Sequence, residues 1–221
     1  MSSGSGAVTL QPSDLALTTA IVSDALDKVG CRDHVLHSAI TTLVPGTRLL
    51  GRAATVHFAP SAVDSAAPYD EAIAFIDTLG VGDVAVVATN ANGSTAYWGE
   101  LFSAAAIGRG AVGVITDGPV RDAAKIRTLG FATFCAGHLP LDFRARMRID
   151  AVSESVVVGG LTIHHGDLTL ADDDGVVVIP RVVETDVITL ARERVAAETL
   201  VLAQLLGGAS LRHVWDTYHV L

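Results

Sequence analysis

Two charged residues stand side by side at Arg121 and Asp122, after a strand-like run and a turn, Val-Gly-Val-Ile-Thr-Asp-Gly-Pro-Val. A third charged residue, Glu100, lies in Gly-Glu-Leu-Phe, with twenty residues between it and Arg121. A guanidinium can hold a carboxylate through two parallel hydrogen bonds, and a carboxylate can bind a hard divalent cation through oxygen. The three residues therefore predict a site where a 2-oxo acid binds beside a metal ion.

Two alternatives compete with this interpretation. An Arg-Asp pair is common on protein surfaces as an ordinary loop ion pair, although the buried strand before it and the spaced acid favour a site. A lysine could instead form a Schiff base, which requires a desolvated amine with a lowered pKa. Lys125 is the only lysine near the pair, and its position on a short helix after Asp122 favours a solvated surface residue.

Composition limits the class of protein. The chain has 221 residues and 50% hydrophobic content, which is enough for one large domain with a buried core. A net charge of -9 disfavours nucleic acid, because phosphate binding needs clustered Lys and Arg. The most basic stretch, 144–148, has alternating arginines that would share one side of a strand, so a solvated or interface face is favoured over RNA contact.

Three features of the sequence bear on the compartment of the protein. No apolar run reaches the ~18 to 20 residues of a membrane helix, and the first residues lack the features of a signal peptide. Cys31 and Cys135 show no CxxC spacing, which favours reduced thiols. We expect a cytoplasmic protein with a flexible N-terminal segment, 1–12, and a single domain, 13–221, that includes a long C-terminal helix.

Helical and strand patterns alternate along the chain and must position these residues. Helices are predicted at 13–29, 69–79, 100–109, 122–129 and 185–206. Strands are predicted at 53–58, 84–88, 112–116, 132–135, 156–158, 161–163, 168–171 and 176–179. This order predicts an α/β layered fold with a mixed central sheet. A TIM barrel would need eight βα repeats, and no GxGxxG follows a strand as in dinucleotide-binding domains.

The central motif carries a resemblance to a known family. Gly99-Glu-Leu-Phe, with Ala-Ile-Gly-Arg-Gly-Ala-Val-Gly-Val-Ile-Thr-Asp-Gly-Pro-Val-Arg-Asp122, resembles the 4-hydroxy-4-methyl-2-oxoglutarate aldolases and their relatives, the regulator of ribonuclease activity A family. Stretches at 22–26 and 166–180 extend the likeness over most of residues 15–200. The resemblance implies a swivelling β/β/α fold in a single domain, assembled as a homotrimer or a dimer of trimers.

The activity implied by the resemblance is that of a class II pyruvate aldolase, which depends on a divalent metal. Such an enzyme cleaves 4-hydroxy-4-methyl-2-oxoglutarate, or a related 4-hydroxy-2-oxo acid, to pyruvate and a second oxo acid, and it often decarboxylates oxaloacetate. One branch of the family instead binds and inhibits a ribonuclease, so a non-catalytic protein-binding regulator is the alternative. The presence of Asp122 favours the enzyme, because relatives without a metal-binding aspartate are expected to lose metal chemistry.

The resemblance also assigns expected roles to residues. Asp122 would bind Mg²⁺ or Mn²⁺, and Arg121 would grip the substrate. Glu100 occupies a position where many relatives have aspartate, and it could polarise a metal-bound water that serves as base and acid in turn. The turn that would offer backbone amides to the substrate comprises Gly99, Glu100, Leu101 and Phe102.

Several other residues leave alternatives open. Glu193 or Glu198 on the C-terminal helix could complete a neighbouring subunit's site, or they could lie on an exposed helix face. His138 could line the pocket or stay outside it, since ligands often gather at strand ends. Trp98 could wall the pocket or simply pack. The acidic run 172–174 is interpreted as a turn between strands because it lacks the alternating ligands of a calcium loop.

Overall fold

The computed structural model describes residues 11–37 and 39–220, apart from the side chains of Pro12 and Leu15. Of the N-terminal segment 1–12 expected to be flexible, residues 1–10 lie outside the described residues. The described chain starts with a 3₁₀ helix, Pro12–Ala16, and continues with six α-helices. These helices are α1 Thr19–Lys28, α2 Asp70–Thr78, α3 Glu100–Arg109, α4 Ala123–Leu129, α5 Glu184–Leu206 and α6 Leu211–Tyr218.

Ten strands lie between these helices in the same described residues. They are β1 Thr41–Thr42, β2 Leu49–Pro60, β3 Asp83–Ala88, β4 Gly113–Thr116, β5 Ala132–Cys135, β6 Met147–Val152, β7 Val156–Val158, β8 Leu161–Ile163, β9 Leu168–Asp172 and β10 Gly175–Ile179. Eight of them form one sheet in the order β1-β5-β4-β3-β2-β9-β10, with β6 also paired to β2. Strands β7 and β8 form a separate hairpin.

The large sheet is mixed, as the sequence predicts. Strands β2, β3, β4 and β5 run parallel, and α2, α3 and α4 connect them in turn. Strand β9 pairs antiparallel with the first part of β2, and β6 pairs antiparallel with its last part. Parallel pairing places the carboxyl ends of β3, β4 and β5 at one edge of the sheet, where ligand sites commonly lie in α/β folds.

Strands β3 and β4 are almost entirely apolar because both faces of the sheet are packed against other elements. Ala85 and Val87 of β3 belong to the core beneath α2, α3 and α4. Val84 and Val86 point to the opposite face and belong to the core shared with the β7–β8 hairpin. A third core joins α1 and α5 to β9 and β10, with Val22 and Ile188 fully buried in it.

The start of the domain differs from the single helix predicted for 13–29. The chain leaves the 3₁₀ helix at Leu17 in an extended conformation, and α1 begins after Thr18, whose side chain accepts a hydrogen bond from the first turn. Asp14 lies in the 3₁₀ helix instead, where its Oδ2 accepts the Gln11 N–H at 2.8 Å in a capping box. Its carboxylate also accepts two 2.7 Å hydrogen bonds from the Arg192 guanidinium on α5. Asp14 therefore combines a local cap of the 3₁₀ helix with a long-range ion pair.

Other segments agree with the sequence or add to it. The bounds of α3, β5, β7 and β8 match the predictions, and the hairpin turn uses Gly159 and Gly160, both with positive φ. Strands β1 and β6 and helix α6 were not predicted. The arginines of 144–148 are all exposed, which agrees with the predicted solvated or interface face, although only Arg148 lies within a strand. Among the described residues, no helix is long and apolar enough to cross a membrane.

Candidate active site

Three extended segments lie side by side beyond the carboxyl ends of β3, β4 and β5. Single bridges join Ala96 to Asp142, Trp98 to Val120, and Val120 to His138. The backbone N–H of Arg121 donates to the Trp98 carbonyl at 2.8 Å. These contacts continue the parallel strands past the sheet and bring residues from three distant parts of the chain to one place.

Asp122 lies in the left-handed region, with φ of 57° and ψ of 32°, immediately before α4. Aspartate adopts this region more readily than most side chains. Its carboxylate makes no capping hydrogen bond to α4, and its Oδ2 instead lies 3.4 Å from the backbone nitrogen of Glu100, the first residue of α3. The Asp122 carboxylate therefore faces the positive end of the α3 dipole.

Gly99 permits this close approach. A Cβ atom at position 99 would lie 3.0 Å from Asp122 Oδ2 and 3.1 Å from Arg121 Cγ. Its φ of -160° is ordinary extended backbone, so space rather than backbone conformation requires glycine. The sequence motif therefore includes this glycine because the two charged side chains pack against its backbone.

Arg121 lies between two carboxylates. Its Nε is 3.8 Å from Asp122 Oδ2, and its Nη1 is 3.1 Å from Asp142 Oδ2. The Arg121 and Asp122 side chains are 38% and 39% exposed, which leaves both accessible to a small molecule. The guanidinium stays charged at all working pH values, so it provides a permanent positive group for an anionic ligand.

Asp142 and Tyr69 are site residues that the sequence did not reveal. The Tyr69 hydroxyl donates to Asp142 Oδ2, and this hydrogen bond together with burial raises the pKa of Tyr69. Burial acts to raise the pKa of Asp142, but the Tyr69 hydrogen bond and the Arg121 charge outweigh it and hold the pKa below its usual value. His138, the candidate from this segment, is exposed, and the segment enters the site four residues later.

Glu100 and Lys125 form an ion pair at the same site. Lys125 Nζ donates to Glu100 Oε2 at 2.8 Å, and the lysine side chain is 64% exposed. The expected exposure of Lys125 is thus confirmed, although it also lines the site. The hydrogen bond and the charge of Glu100 raise the pKa of Lys125, whereas a Schiff-base lysine requires a lowered pKa.

These side chains line a cavity of about 800 Å³ that opens to solvent. All six residues assigned from the sequence line it, namely Gly99, Glu100, Leu101, Phe102, Arg121 and Asp122. The remaining wall is formed by Tyr69, Ile73, Ala96, Tyr97, Trp98, Lys125, Asp142 and Phe143. Leu101 is 76% exposed at the cavity, so its side chain forms an apolar part of the rim.

Trp98 both walls the cavity and packs in the core. Its indole Nε1 donates to Ser103 Oγ at 2.9 Å, and its ring stacks on Phe131 with centroids 6.2 Å apart. Ser103 Oγ in turn donates to the Gly99 carbonyl at 3.0 Å. The tryptophan therefore fixes the turn at Gly99 as well as closing the cavity floor.

A divalent cation fits this donor set through a single protein carboxylate. No group of three His, Cys, Asp or Glu side chains suited to a metal occurs among residues 11–37 and 39–220. Asp122 offers a partly exposed carboxylate, while Glu100 is held by Lys125. Mg²⁺ commonly keeps several waters and binds through one or two carboxylates together with substrate oxygens, so the residues present are compatible with it.

The acids of the C-terminal helix lie away from this cavity within the chain. Glu193 is exposed on α5, and Glu198 accepts a 2.7 Å hydrogen bond from Arg194 one turn earlier. Glu198 borders a separate groove with apolar residues of α5. A contribution of either acid to a neighbouring subunit's site stays a prediction. Asp173 and Asp174 form the turn between β9 and β10, and Asp172, the last residue of β9, accepts hydrogen bonds from Thr19 at the start of α1.

Comparison with known proteins shows the family of this chain. The chain belongs to the RraA-like family, described as Aldolase/RraA, whose sequence model matches residues 19–178. This family includes both aldolases and RraA regulators. The resemblance found in the sequence and the layered α/β fold are therefore confirmed.

Two relatives illustrate the similarity in sequence. A Halalkalibacterium halodurans protein with the provisional name 4-hydroxy-4-methyl-2-oxoglutarate aldolase is 30% identical over 180 residues, covering 81% of this chain and 80% of that protein. Protein DlpA of Legionella pneumophila is 31% identical over 183 residues, or 80% of this chain. The chain spans only 29% of the length of DlpA.

Two solved structures share the fold. An uncharacterized protein from Pseudomonas syringae pv. tomato aligns with a TM-score of 0.81 and 28% identity, covering 94% of this chain and 98% of that one. Streptomyces coelicolor RraAS2, described as an unusual member of the RNase ES inhibitor RraA protein family, aligns with a TM-score of 0.79 and 28% identity, covering 87% and 96%. The alignments cover nearly the whole length of both solved chains, so this chain shares almost all of their fold.

Proposed function

We propose that this protein is a divalent-metal-dependent class II pyruvate aldolase. It cleaves 4-hydroxy-4-methyl-2-oxoglutarate, or a related 4-hydroxy-2-oxo acid, to pyruvate and a second oxo acid, and it decarboxylates oxaloacetate. One observation carries the proposal: the carboxylate of Asp122 and the guanidinium of Arg121 lie together at the start of α3 and line one cavity.

The two reactions share one chemical requirement. Retro-aldol cleavage of a 4-hydroxy-2-oxo acid and decarboxylation of oxaloacetate both generate the enolate of pyruvate, so both need negative charge to be stabilised on the keto oxygen. A divalent cation held by Asp122 supplies Lewis-acid stabilisation of that charge when it is bound. Mg²⁺ and Mn²⁺ are the metals proposed here, because a carboxylate and water suit both of them.

The protein's own groups bind and orient the oxo acid. Arg121 pairs with the substrate carboxylate or keto oxygen, because its planar fork can donate two parallel hydrogen bonds. The first amides of α3, in the turn from Gly99 to Phe102, add partial positive charge at the end of a helix. Such preorganised donors stabilise charge that develops during the reaction, because they need no rearrangement at that moment.

Proton transfer falls to Glu100 in this proposal. Cleavage needs a base for the C4 hydroxyl proton and an acid for the enolate carbon, and a carboxylate can serve both steps through water. Lys125 holds Glu100 in the cavity wall at 2.8 Å. The raised pKa of Lys125, caused by its hydrogen bond to Glu100, argues against a Schiff-base mechanism.

A non-catalytic regulator that binds a ribonuclease is the second candidate. The 28% identity to Streptomyces coelicolor RraAS2, described as a member of the RNase ES inhibitor RraA protein family, supports it. A regulator acts through its surface and has no need for a cavity with an aligned Arg-Asp pair. We therefore favour the enzyme. If the protein is a regulator, replacing Asp122 should leave its binding to a ribonuclease unchanged.

Assembly as a homotrimer or a dimer of trimers is part of the proposal. Helices α5 and α6 expose several large apolar side chains, which is typical of surfaces that associate. These are Leu200, Leu202, Leu206, Leu211, Trp215 and Tyr218. Light scattering coupled to gel filtration measures the mass directly, and a monomer at micromolar concentration would contradict this part of the proposal.

A substrate panel tests the activity. Purified protein is incubated with oxaloacetate, 4-hydroxy-4-methyl-2-oxoglutarate and related 4-hydroxy-2-oxo acids in Mg²⁺ or Mn²⁺, and pyruvate is measured by NADH oxidation with lactate dehydrogenase. We expect pyruvate from at least one of them, with loss of activity in EDTA and recovery on adding metal. Activity untouched by EDTA would remove the metal from the proposal, and pyruvate from none of them would favour the regulator.

A further inference from the structure

The orientation of Arg121 is fixed at two different nitrogen atoms. Asp122 lies 3.8 Å from Nε, near the stem, while Asp142 lies 3.1 Å from Nη1, near the tip. An ion pair near the stem alone leaves the outer nitrogens free to turn about the last side-chain bonds. The contact at Nη1 therefore decides which way the fork of donors faces in the cavity.

Asp142 is itself held from three directions. Tyr69 donates its hydroxyl to Oδ2, and the backbone N–H of Arg144 donates to Oδ1 at 3.4 Å. The backbone at Asp142 forms a parallel bridge with Ala96, where the Ala96 N–H donates to the Leu141 carbonyl at 2.7 Å. The backbone that carries this carboxylate is thus paired with the segment that leads into Gly99.

Tyr69 is fixed in turn by an aromatic cluster. Its ring packs edge-on against Phe143 with centroids 5.5 Å apart, and Phe143 packs edge-on against Phe58 of β2 at 5.2 Å. Tyr69 immediately precedes α2, so its hydroxyl reaches Asp142 from a different element of the fold. The chain of contacts from β2 through Tyr69 to Arg121 consists of packed rings and charged groups rather than flexible surface side chains.

We propose that Asp142, supported by Tyr69, is a positioning residue that presets the Arg121 guanidinium for the carboxylate of a 2-oxo acid. This inference rests on the proposed function and identifies two residues through which the same site acts. A long arginine side chain loses rotamer freedom when it binds a ligand, and a preset side chain loses less. Asp142 does not touch the substrate in this proposal, since it acts through Arg121.

The test compares Asp142→Asn with Asp64→Asn. Asparagine keeps the shape of residue 142 and removes its charge. The control residue, Asp64, is an exposed carboxylate that pairs at 3.0 Å with Arg144, two residues after Asp142, and it forms no ion pair with Arg121. Kinetics with oxaloacetate and Mn²⁺ should show kcat/KM reduced about 10- to 100-fold in Asp142→Asn, because small misplacements of a substrate-binding group have effects of that size. Asp64→Asn should match the wild type.

A second readout separates positioning from a general structural role. The Arg121 Nε–Hε group is observed by ¹⁵N NMR, with its signal assigned by its absence in Arg121→Lys. We expect an ordered side chain in the wild type and in Asp64→Asn, and a mobile one in Asp142→Asn, without a change in the backbone spectrum. The inference would be overturned if Asp142→Asn had the same kinetics and the same Arg121 side-chain mobility as the wild type.

Two further variants keep the inference testable. If Asp142→Asn does not fold, Tyr69→Phe removes one support of the carboxylate without removing its charge, and it should show a smaller change in the same direction. In an Arg121→Lys background, Asp142→Asn should add little to the loss, because residues that act through one another are not additive. A wild type that turns over no 2-oxo acid would refute the proposed function, while the NMR comparison would still decide the role of Asp142.

Discussion

The carboxylate of Asp122 interacts with the helix of Glu100 rather than with its own helix. Oδ2 lies 3.4 Å from the Glu100 nitrogen, while α4, which begins one residue after Asp122, receives no side-chain cap from it. A local sequence rule would assign Asp122 as the N-cap of α4. Asp122 occupies that position, but its side chain makes no capping hydrogen bond to α4. Its carboxylate faces the cavity instead.

Replacing this carboxylate should abolish turnover without unfolding the protein. Asp122→Asn is the appropriate change, because asparagine tolerates the left-handed backbone at φ of 57° better than alanine does. We expect kcat/KM with oxaloacetate and Mn²⁺ to fall on the order of 1,000-fold, as when an essential electrostatic group is lost. Thermal unfolding by circular dichroism should match the wild type. Full activity in a folded variant would contradict the role of Asp122.

A methyl group at position 99 should disturb the site with little effect on the fold. Gly99→Ala places a Cβ at 3.0 Å from Asp122 Oδ2 and 3.1 Å from Arg121 Cγ, so both side chains must shift. We expect kcat/KM to fall about tenfold, because contacts at these distances require shifts of a few tenths of an ångström and a displacement near 1 Å can reduce the rate about 100-fold. The control is Gly93→Ala, where nothing lies within 4 Å of the added Cβ. Equal activity of the two variants would show that the contact at Gly99 is unimportant.

Removing the charge of Lys125 should leave the reaction class intact. In Lys125→Gln the ion pair with Glu100 is lost, but the Arg121-Asp122 pair remains. We expect a reduction of about tenfold or less in kcat, since proton transfer from a less restrained Glu100 is affected only in part. Treatment of the wild type with borohydride and pyruvate should not inactivate it. Complete loss in both experiments would indicate a Schiff-base enzyme.

The ion pair between Asp14 and Arg192 should make stability depend on acid pH. Hydrogen bonds from Arg192 hold the pKa of Asp14 below its usual value of 3.8, although burial opposes them. The contribution is therefore complete above the unfolded pKa, and it is lost as the pH falls from 3.8 through the lower folded pKa. Asp14→Asn should lower the free energy of unfolding at pH 7 by about 2 kcal/mol, since Asp14 is buried but Arg192 is partly exposed.

Urea unfolding at pH 7 and pH 3 measures this difference. The wild type should lose more stability than Asp14→Asn between the two values, because the variant has no carboxylate to protonate there. Asp24→Asn is the matched control, since Asp24 is exposed and pairs with Arg194 at 3.4 Å. We expect the control to differ from the wild type by less than about 0.5 kcal/mol at pH 7. Parallel pH curves for wild type and Asp14→Asn would refute the coupling.

The sequence predicted those parts of the site that lie close together in the chain. Gly99 to Phe102 begin one helix, and Arg121 and Asp122 precede another, so local patterns and the family resemblance were sufficient to select them as candidates that line one cavity. Asp142 and Tyr69 were missed because their proximity depends on pairing beyond the ends of the parallel strands and on the packing of α2. No local motif marks either residue, and only the assembled fold brings them to Arg121.

The same distinction applies to the fold. Strands β3, β4 and β5 have nearly continuous apolar runs and are fully or almost fully buried, so the order of these elements was predictable. The start of α1 differs from the prediction, because Thr18 caps it, whereas Asp14 caps the preceding 3₁₀ helix and binds Arg192, 178 residues away. Strand β1 has only two residues, too few to show a pattern, and it is stabilised by pairing with β5.

The most direct test measures the binding of Mn²⁺ and pyruvate. Water-proton relaxation and electron paramagnetic resonance both detect the bound Mn²⁺. Wild-type protein should bind Mn²⁺, and pyruvate should tighten that binding and displace water from the ion, whereas Asp122→Asn should show neither effect. Equal binding of Mn²⁺ and pyruvate by wild type and Asp122→Asn, or no binding by the wild type, would contradict a metal and oxo-acid site at Asp122.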